Sequence, residues 1–179
     1  MTTASLRGRA VWRHAFAALA LGAAAQAFAA EPVSEQVVVA GALKTSLTLK
    51  VDDLKAFPAA QIASVTVSRR VGDKEAASTV RGVLLTALLE RAGLVSADRN
   101  EWKHTVVLAT ATDGYRVVFS WPELFNTDIG GGVLVVFERD GQPLADREGR
   151  IALVSARDQR SGPRSVRWLA RLDVRVVSE

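Results

Sequence analysis

The stretch from Thr105 to Phe119 constrains the fold most. It reads Thr-Val-Val-Leu-Ala-Thr-Ala, then Thr-Asp-Gly-Tyr, then Arg-Val-Val-Phe. Two β-branched apolar runs joined by an Asp-Gly turn are the signature of a β-hairpin. The same period-2 pattern recurs along the chain. Leu47, Leu49 and Val51 alternate with Thr48 and Lys50, and Ser64 to Ser68 reads Ser-Val-Thr-Val-Ser. Val133 to Glu138 ends on an Asp140-Gly141 turn, Gly149 to Val154 leads into another strand, and Leu172, Val174 and Val176 alternate near the end. Val37 to Val39 reads as an edge strand, and Val166 to Leu169 as a short turn or strand. Strands this short bury their apolar faces only by pairing with distant segments, so the chain must build a sheet structure with long-range contacts.

Three helical signals interrupt the strands. Between Val80 and Leu94, Leu84, Leu85, Leu88 and Leu89 recur at helical spacing and Gly93 is a natural stop, which predicts a helix over the whole stretch. Asp52 or Asp53 can cap a brief helix from Leu54 to Phe57, ended by Pro58. Ser120-Trp121-Pro122-Glu123 fits a capping box opening a helix through Phe125. Gly130-Gly131-Gly132 reads as a flexible connection. The expected class is α+β: a β-rich mixed sheet domain with two or three short helices.

The N-terminus has a different character. Arg7, Arg9 and Arg13 precede an alanine-rich apolar run from Ala15 to Ala25, and Ala27-Phe28-Ala29 supplies a small-x-small cleavage pattern. We therefore expect residues 1–29 to be a signal peptide and residues 30–179 the domain proper. The run is shorter than the roughly 20 apolar residues that span a bilayer, so stable membrane insertion after cleavage is not expected. The arginines are never adjacent, which fits the general secretory route rather than a twin-arginine signal and implies a periplasmic or secreted protein. Cleavage leaves 20 basic against 19 acidic side chains, a net charge of +1, so the high pI does not argue for a nucleic acid partner. The chain has no cysteine, and His104 is the only histidine outside the N-terminal segment. Disulfides are excluded, and so is a His/Cys zinc or copper centre within one chain. No nucleophile elbow, P-loop or dinucleotide fingerprint is present.

Four motifs in order resemble one family. Leu47 to Lys55 (Leu-Thr-Leu-Lys-Val-Asp-Asp-Leu-Lys) resembles the strand and D-D-L helix that open the sulfite oxidase-type molybdopterin-binding domain. Arg81-Gly82-Val83-Leu84-Leu85, with Leu88, Leu89, Ala92 and Gly93, is similar to its W-x-G-x-x-L…L-L…A-G helix. Gly141-Gln142-Pro143-Leu144 resembles its N-G-x-P-L turn, and Gly162 to Leu169 its A-R-x-V-K-W-L segment. The resemblance runs through most of the chain after residue 29. It implies a molybdopterin-domain fold and a pterin site at the last segment, where Arg164 and Arg167 match the basic residues that contact the pterin and its phosphate.

Arg160 can enlarge that anion site, and Tyr115 lies near the family's pocket tyrosine. Arg157, Arg160, Arg164 and Arg167 also read as a solvated face balanced by Asp158 and Asp173. The family holds its metal by one cysteine thiolate at the end of a strand that matches Val65 to Arg70 here, where Ser68 is the nearest polar side chain. A neutral hydroxyl is a poor ligand beside a thiolate. Molybdopterin is therefore a cofactor implied by the resemblance, whereas molybdenum is not expected. The family's larger members add a dimerisation domain that is not expected in these 179 residues. The resulting expectation is an exported domain that binds a small anionic or pterin-like ligand, or a partner protein of the envelope. The alternatives are a molybdopterin-dependent oxidoreductase of the sulfite oxidase type, and an accessory subunit of an envelope complex.

Overall fold

The structure is a computed structural model and describes residues 33–71, 74–95, 100–160 and 162–177. The expected signal peptide lies outside the described residues. Among the described residues ten strands form two sheets. In the first, β1 (Gln36–Gly41), β2 (Leu47–Lys50), β5 (Thr105–Ala111), β6 (Arg116–Ser120) and β10 (Leu169–Val176) lie in the order β2-β1-β10-β5-β6. Only the β1–β10 pair is parallel. In the second sheet, β3 (Ile62–Val71), β4 (Lys74–Leu84) and β7 (Val133–Arg139) lie side by side. The far edge of β7 is shared by β8 (Gln142–Pro143) and β9 (Ala152–Ser155).

The main core lies between the sheets. Val37, Val39, Val107, Phe119, Leu172 and Val174 face Val83, Val135, Phe137 and Leu153, all buried. The other face of the second sheet buries a smaller cluster of Val80, Leu134, Val136, Leu144, Ala152 and Val154. β7 is thus covered on both faces, which explains its unbroken Val-Leu-Val-Val-Phe run. β1 is an interior strand, hydrogen-bonded on both edges, rather than the edge strand its short run suggested.

Helix α1 (Val51–Lys55) starts three residues before the expected Leu54, because Asp53 caps from inside the first turn: its carboxylate accepts from the Lys50 amide at 2.8 Å. Helix α2 covers only Leu85–Ala92. The expected helical residues Val80 to Leu84 are the end of β4, paired with β7. Local leucine spacing is equally satisfied by a helix beginning at Leu85. Tertiary pairing decides the rest, with Val80 and Val83 buried against β7. Gly82 makes that pairing possible, since a Cβ there would sit 2.3 Å from the Val135 carbonyl oxygen. Gly93 ends α2 with φ +69°, as its position predicted. Helix α3 (Trp121–Asn126) carries the expected capping box: Ser120 Oγ accepts from the Glu123 amide at 3.1 Å, and Glu123 accepts from the Ser120 amide.

The three glycines at 130–132 are not a flexible link. They form a packed 3-10 turn in which Gly130 and Gly132 are buried, and a Cβ at 130 would collide with the Leu124 carbonyl. Both Asp-Gly turns form. Asp140 (φ 50°) and Gly141 (φ 76°) both take the left-handed conformation that a tight hairpin demands. No helix among the described residues is long and apolar enough to cross a membrane.

Candidate functional site

One large open cleft, of about 1210 Å³, is framed by four pieces of chain. The β3–β4 hairpin contributes Ser68 and Ser78, and the β5–β6 turn contributes Asp113 and Tyr115. The 3-10 turn Asp146–Glu148 contributes Arg147 and Glu148. The segment between β9 and β10 contributes Arg160, Arg167 and Trp168.

Local backbone chemistry builds the frame. Trp168 has φ 48°, a left-handed conformation that a bulky residue adopts only when its surroundings enforce it. Its amide donates to the Glu148 carbonyl at 2.8 Å and its indole Nε1 to the Asp146 carbonyl at 2.7 Å. Gly149 faces it (φ +82°), and a Cβ there would lie 2.7 Å from the Trp168 Cα. Val166 exchanges two backbone hydrogen bonds with Leu153, both 2.8 Å. The Tyr115 hydroxyl donates to the Pro163 carbonyl at 2.6 Å, so this residue, 46% exposed, ties the β5–β6 turn to the 162–167 segment.

Charge in the cleft is unevenly committed. Arg139 donates Nε–H to Glu148 at 2.9 Å and Nη1–H to Ser78 at 2.6 Å, which neutralises Glu148. Asp113 accepts from the Tyr115 amide at 2.8 Å, and Asp140 accepts from the Thr79 amide at 2.7 Å. Arg147, Arg160 and Arg167 are exposed and make no ion pair or hydrogen bond with other described residues. Three guanidinium groups without an ion pair therefore line the cleft, together with Glu148, which Arg139 neutralises, and with Asp113 and Asp140, which accept backbone amides and keep their charge. Guanidinium forks match phosphate and carboxylate oxygens, and Trp168 and Tyr115 add aromatic surface to the lining.

Of the residues that the sequence singled out, Tyr115, Arg160 and Arg167 come together here with Trp168. Arg164 does not line the cleft. Its Nε–H and Nη2–H donate to the two oxygens of Asp158 at 2.8 and 2.5 Å, and Nη1–H donates to Glu123 at 2.8 Å. Its guanidinium lies 4.5 Å from the centre of the Phe119 ring. The hydrogen bonds from Arg164 hold the Asp158 carboxyl below the usual carboxylate range, against a smaller opposing effect of burial, and the same contacts raise the Arg164 pKa. Asp158 balances Arg164, in a pair that is only partly exposed, whereas Asp173 pairs with Arg171 and Arg175 and not with Arg157, Arg160 or Arg167. Arg157 packs on Gly131 and Gly132 and donates to the Asp128 carbonyl at 2.6 Å, away from the cleft. Arg147 was not anticipated. Its sequence context, Asp-Arg-Glu, looks like any charged surface turn.

The comparisons with known proteins agree with this architecture. The oxidoreductase molybdopterin binding domain family matches residues 26–178. The chain belongs to that family. Among solved structures it is similar to the sulfane dehydrogenase SoxCD from Paracoccus pantotrophus, with a TM-score of 0.60 at 18% sequence identity. The likeness covers 80% of this chain and 39% of that one, and it is a likeness of fold. No curated protein matches the sequence.

The residues suit the two halves of such a cofactor differently. A planar, phosphate-bearing pterin fits the chemistry of Trp168, Tyr115 and the three unpaired arginines. The metal does not fit. The chain has no cysteine, and the strand expected to carry the thiolate presents Ser68 to the cleft. Among the described residues no group of three or more His, Asp or Glu side chains is placed to hold an ion.

Proposed function

We propose that this domain is an exported binding module that takes a small anionic or pterin-like ligand in the cleft and works without a thiolate-held molybdenum. The observation that carries the reading is the set of guanidiniums without an ion pair, Arg147, Arg160 and Arg167, beside Trp168 in the cleft. Three guanidiniums converging on one cleft attract an anion through their summed charge and can grip it with several N–H groups at once. Export rests on the N-terminal sequence pattern, and its check is N-terminal sequencing of protein recovered from the cell envelope, with Ala30 as the expected first residue.

Mass spectrometry of small molecules released from natively purified protein, paired with elemental analysis, tests the reading. An anionic metabolite without stoichiometric molybdenum is expected. Stoichiometric molybdenum in protein from the native host overturns the metal-free reading. It would support the second one, an oxidoreductase that holds its cofactor through pterin contacts alone, which family membership favours. An empty cleft together with a co-purifying envelope protein would favour an accessory subunit instead.

A further inference from the structure

We infer that Arg164 is a positioning residue: with Asp158 and Glu123 it holds the chain at positions 158 and 164, so that Arg160 and Arg167 stand over the cleft. The inference rests on the reading that the cleft binds an anion. Arg164 uses three N–H groups on two carboxylates and lays its face on Phe119. Each partner belongs to the scaffold. Asp158 also accepts from Ser155 Oγ at 2.8 Å, and Ser155 is fully buried at the end of β9. Glu123 is the capping-box residue of α3, and Phe119 is a core side chain of β6.

An anion arriving at Arg164 would meet two carboxylates at contact distance, so this guanidinium is closed to it. The residue before it is pinned too, through the Tyr115 hydroxyl on the Pro163 carbonyl. The Val166–Leu153 bridge and the Trp168 amide on Glu148 then fix the backbone on both sides of Arg167. Arginines presented by a held backbone lose less freedom when they bind, which is where such a clamp contributes to affinity.

Pyrophosphate is a suitable probe, titrated calorimetrically into the full chain. Asp158→Asn combined with Glu123→Gln leaves Arg164 in place and releases it. If Arg164 positions, binding weakens by about tenfold, the scale of losing a preorganised contact segment. If Arg164 were a ligand contact, releasing it from its carboxylates would leave binding equal or tighter, and that result overturns the inference. Arg164→Lys keeps the charge and loses the fork, and the same loss of about tenfold is expected.

A measurement on the unaltered protein covers the case in which these variants do not fold. Phenylglyoxal modification, mapped by mass spectrometry with and without pyrophosphate, should show protection at Arg147, Arg160 and Arg167 and no change at Arg164. Protection of Arg164 by pyrophosphate overturns the inference. The triple variant Arg147→Ala, Arg160→Ala, Arg167→Ala separates the two levels. Binding abolished by the triple variant but untouched by the clamp variants removes the inference alone. Binding that survives the triple variant, or no binding by the unaltered protein, removes the anion site and the inference with it.

Discussion

Arg164 and Arg167 are three residues apart, match the same motif and carry the same charge, yet the fold gives them different work. Arg164 faces inward to Asp158, Glu123 and Phe119, whereas Arg167 faces the cleft and makes no ion pair among the described residues. Side-chain type at a motif position therefore says that a guanidinium is needed, not whether a ligand or the protein itself supplies the counter-charge. Here the inward arginine holds structure, and the outward one is left to recognise something else.

Substitutions can break or sharpen that contrast. The largest effect is expected from Arg164→Ala, which leaves Asp158 and Glu123 without their cation. With side chains only partly exposed, the loss should be about 2 kcal/mol, a fall in Tm of roughly 4–8 °C by thermal unfolding. A loss as small as that of a surface residue would erase the distinction.

Next comes acid. The Asp158 pKa is lowered in the folded state, chiefly by the Arg164 hydrogen bonds. Its contribution is therefore fully present above the unfolded carboxylate value of about 4 and is lost as pH falls through the lower folded value. Denaturant unfolding should show the unaltered protein losing stability below about pH 4 more steeply than Asp158→Asn. Identical slopes would mean that the pair does not hold the fold.

Arg167→Ala should change stability by no more than about 0.5 kcal/mol, as expected of an exposed side chain without a partner. Arg171→Ala should do no more, although Arg171 pairs with Asp173 at 2.6 Å, because that arginine is 47% exposed and water screens the pair. A large effect at Arg171 would show that pairing in general, rather than burial of the pair, separates these arginines.

The features legible from sequence are those fixed by neighbours in the chain. The β5–β6 hairpin, the Ser120–Glu123 capping box, the Gly93 stop and both Asp-Gly turns depend on residues within a few positions. The family motifs also led to the right fold, because they sample strands and turns spread over the whole domain. What failed depended on distant partners. Val80 to Leu84 became a strand because β7 lies beside it, and Gly130 to Gly132 became a packed turn because Leu124 and Arg157 close on it. The site shows the same division. Arg167 lay in a family motif, Tyr115 near the family's pocket tyrosine and Arg160 in the loop before the last motif, and the missing thiolate was read from composition. Arg147 was not visible, since only the fold brings the turn at 146–148 against Trp168. The commitment of Arg164 was hidden as well, because Glu123 lies 41 residues away along the chain.

The Trp168–Gly149 contact has a consequence for how such a domain can diversify. Arg147, Arg160 and Arg167 are exposed side chains, replaceable one at a time without touching the scaffold, so ligand preference can drift by single steps. Position 149 has no such freedom. A Cβ there would meet the Trp168 Cα at 2.7 Å and the Ser34 hydroxyl at 2.8 Å, so position 149 stays glycine whatever side chain stands at 168. Descendants of this sequence should therefore vary the charges around the cleft while inheriting its seat unaltered.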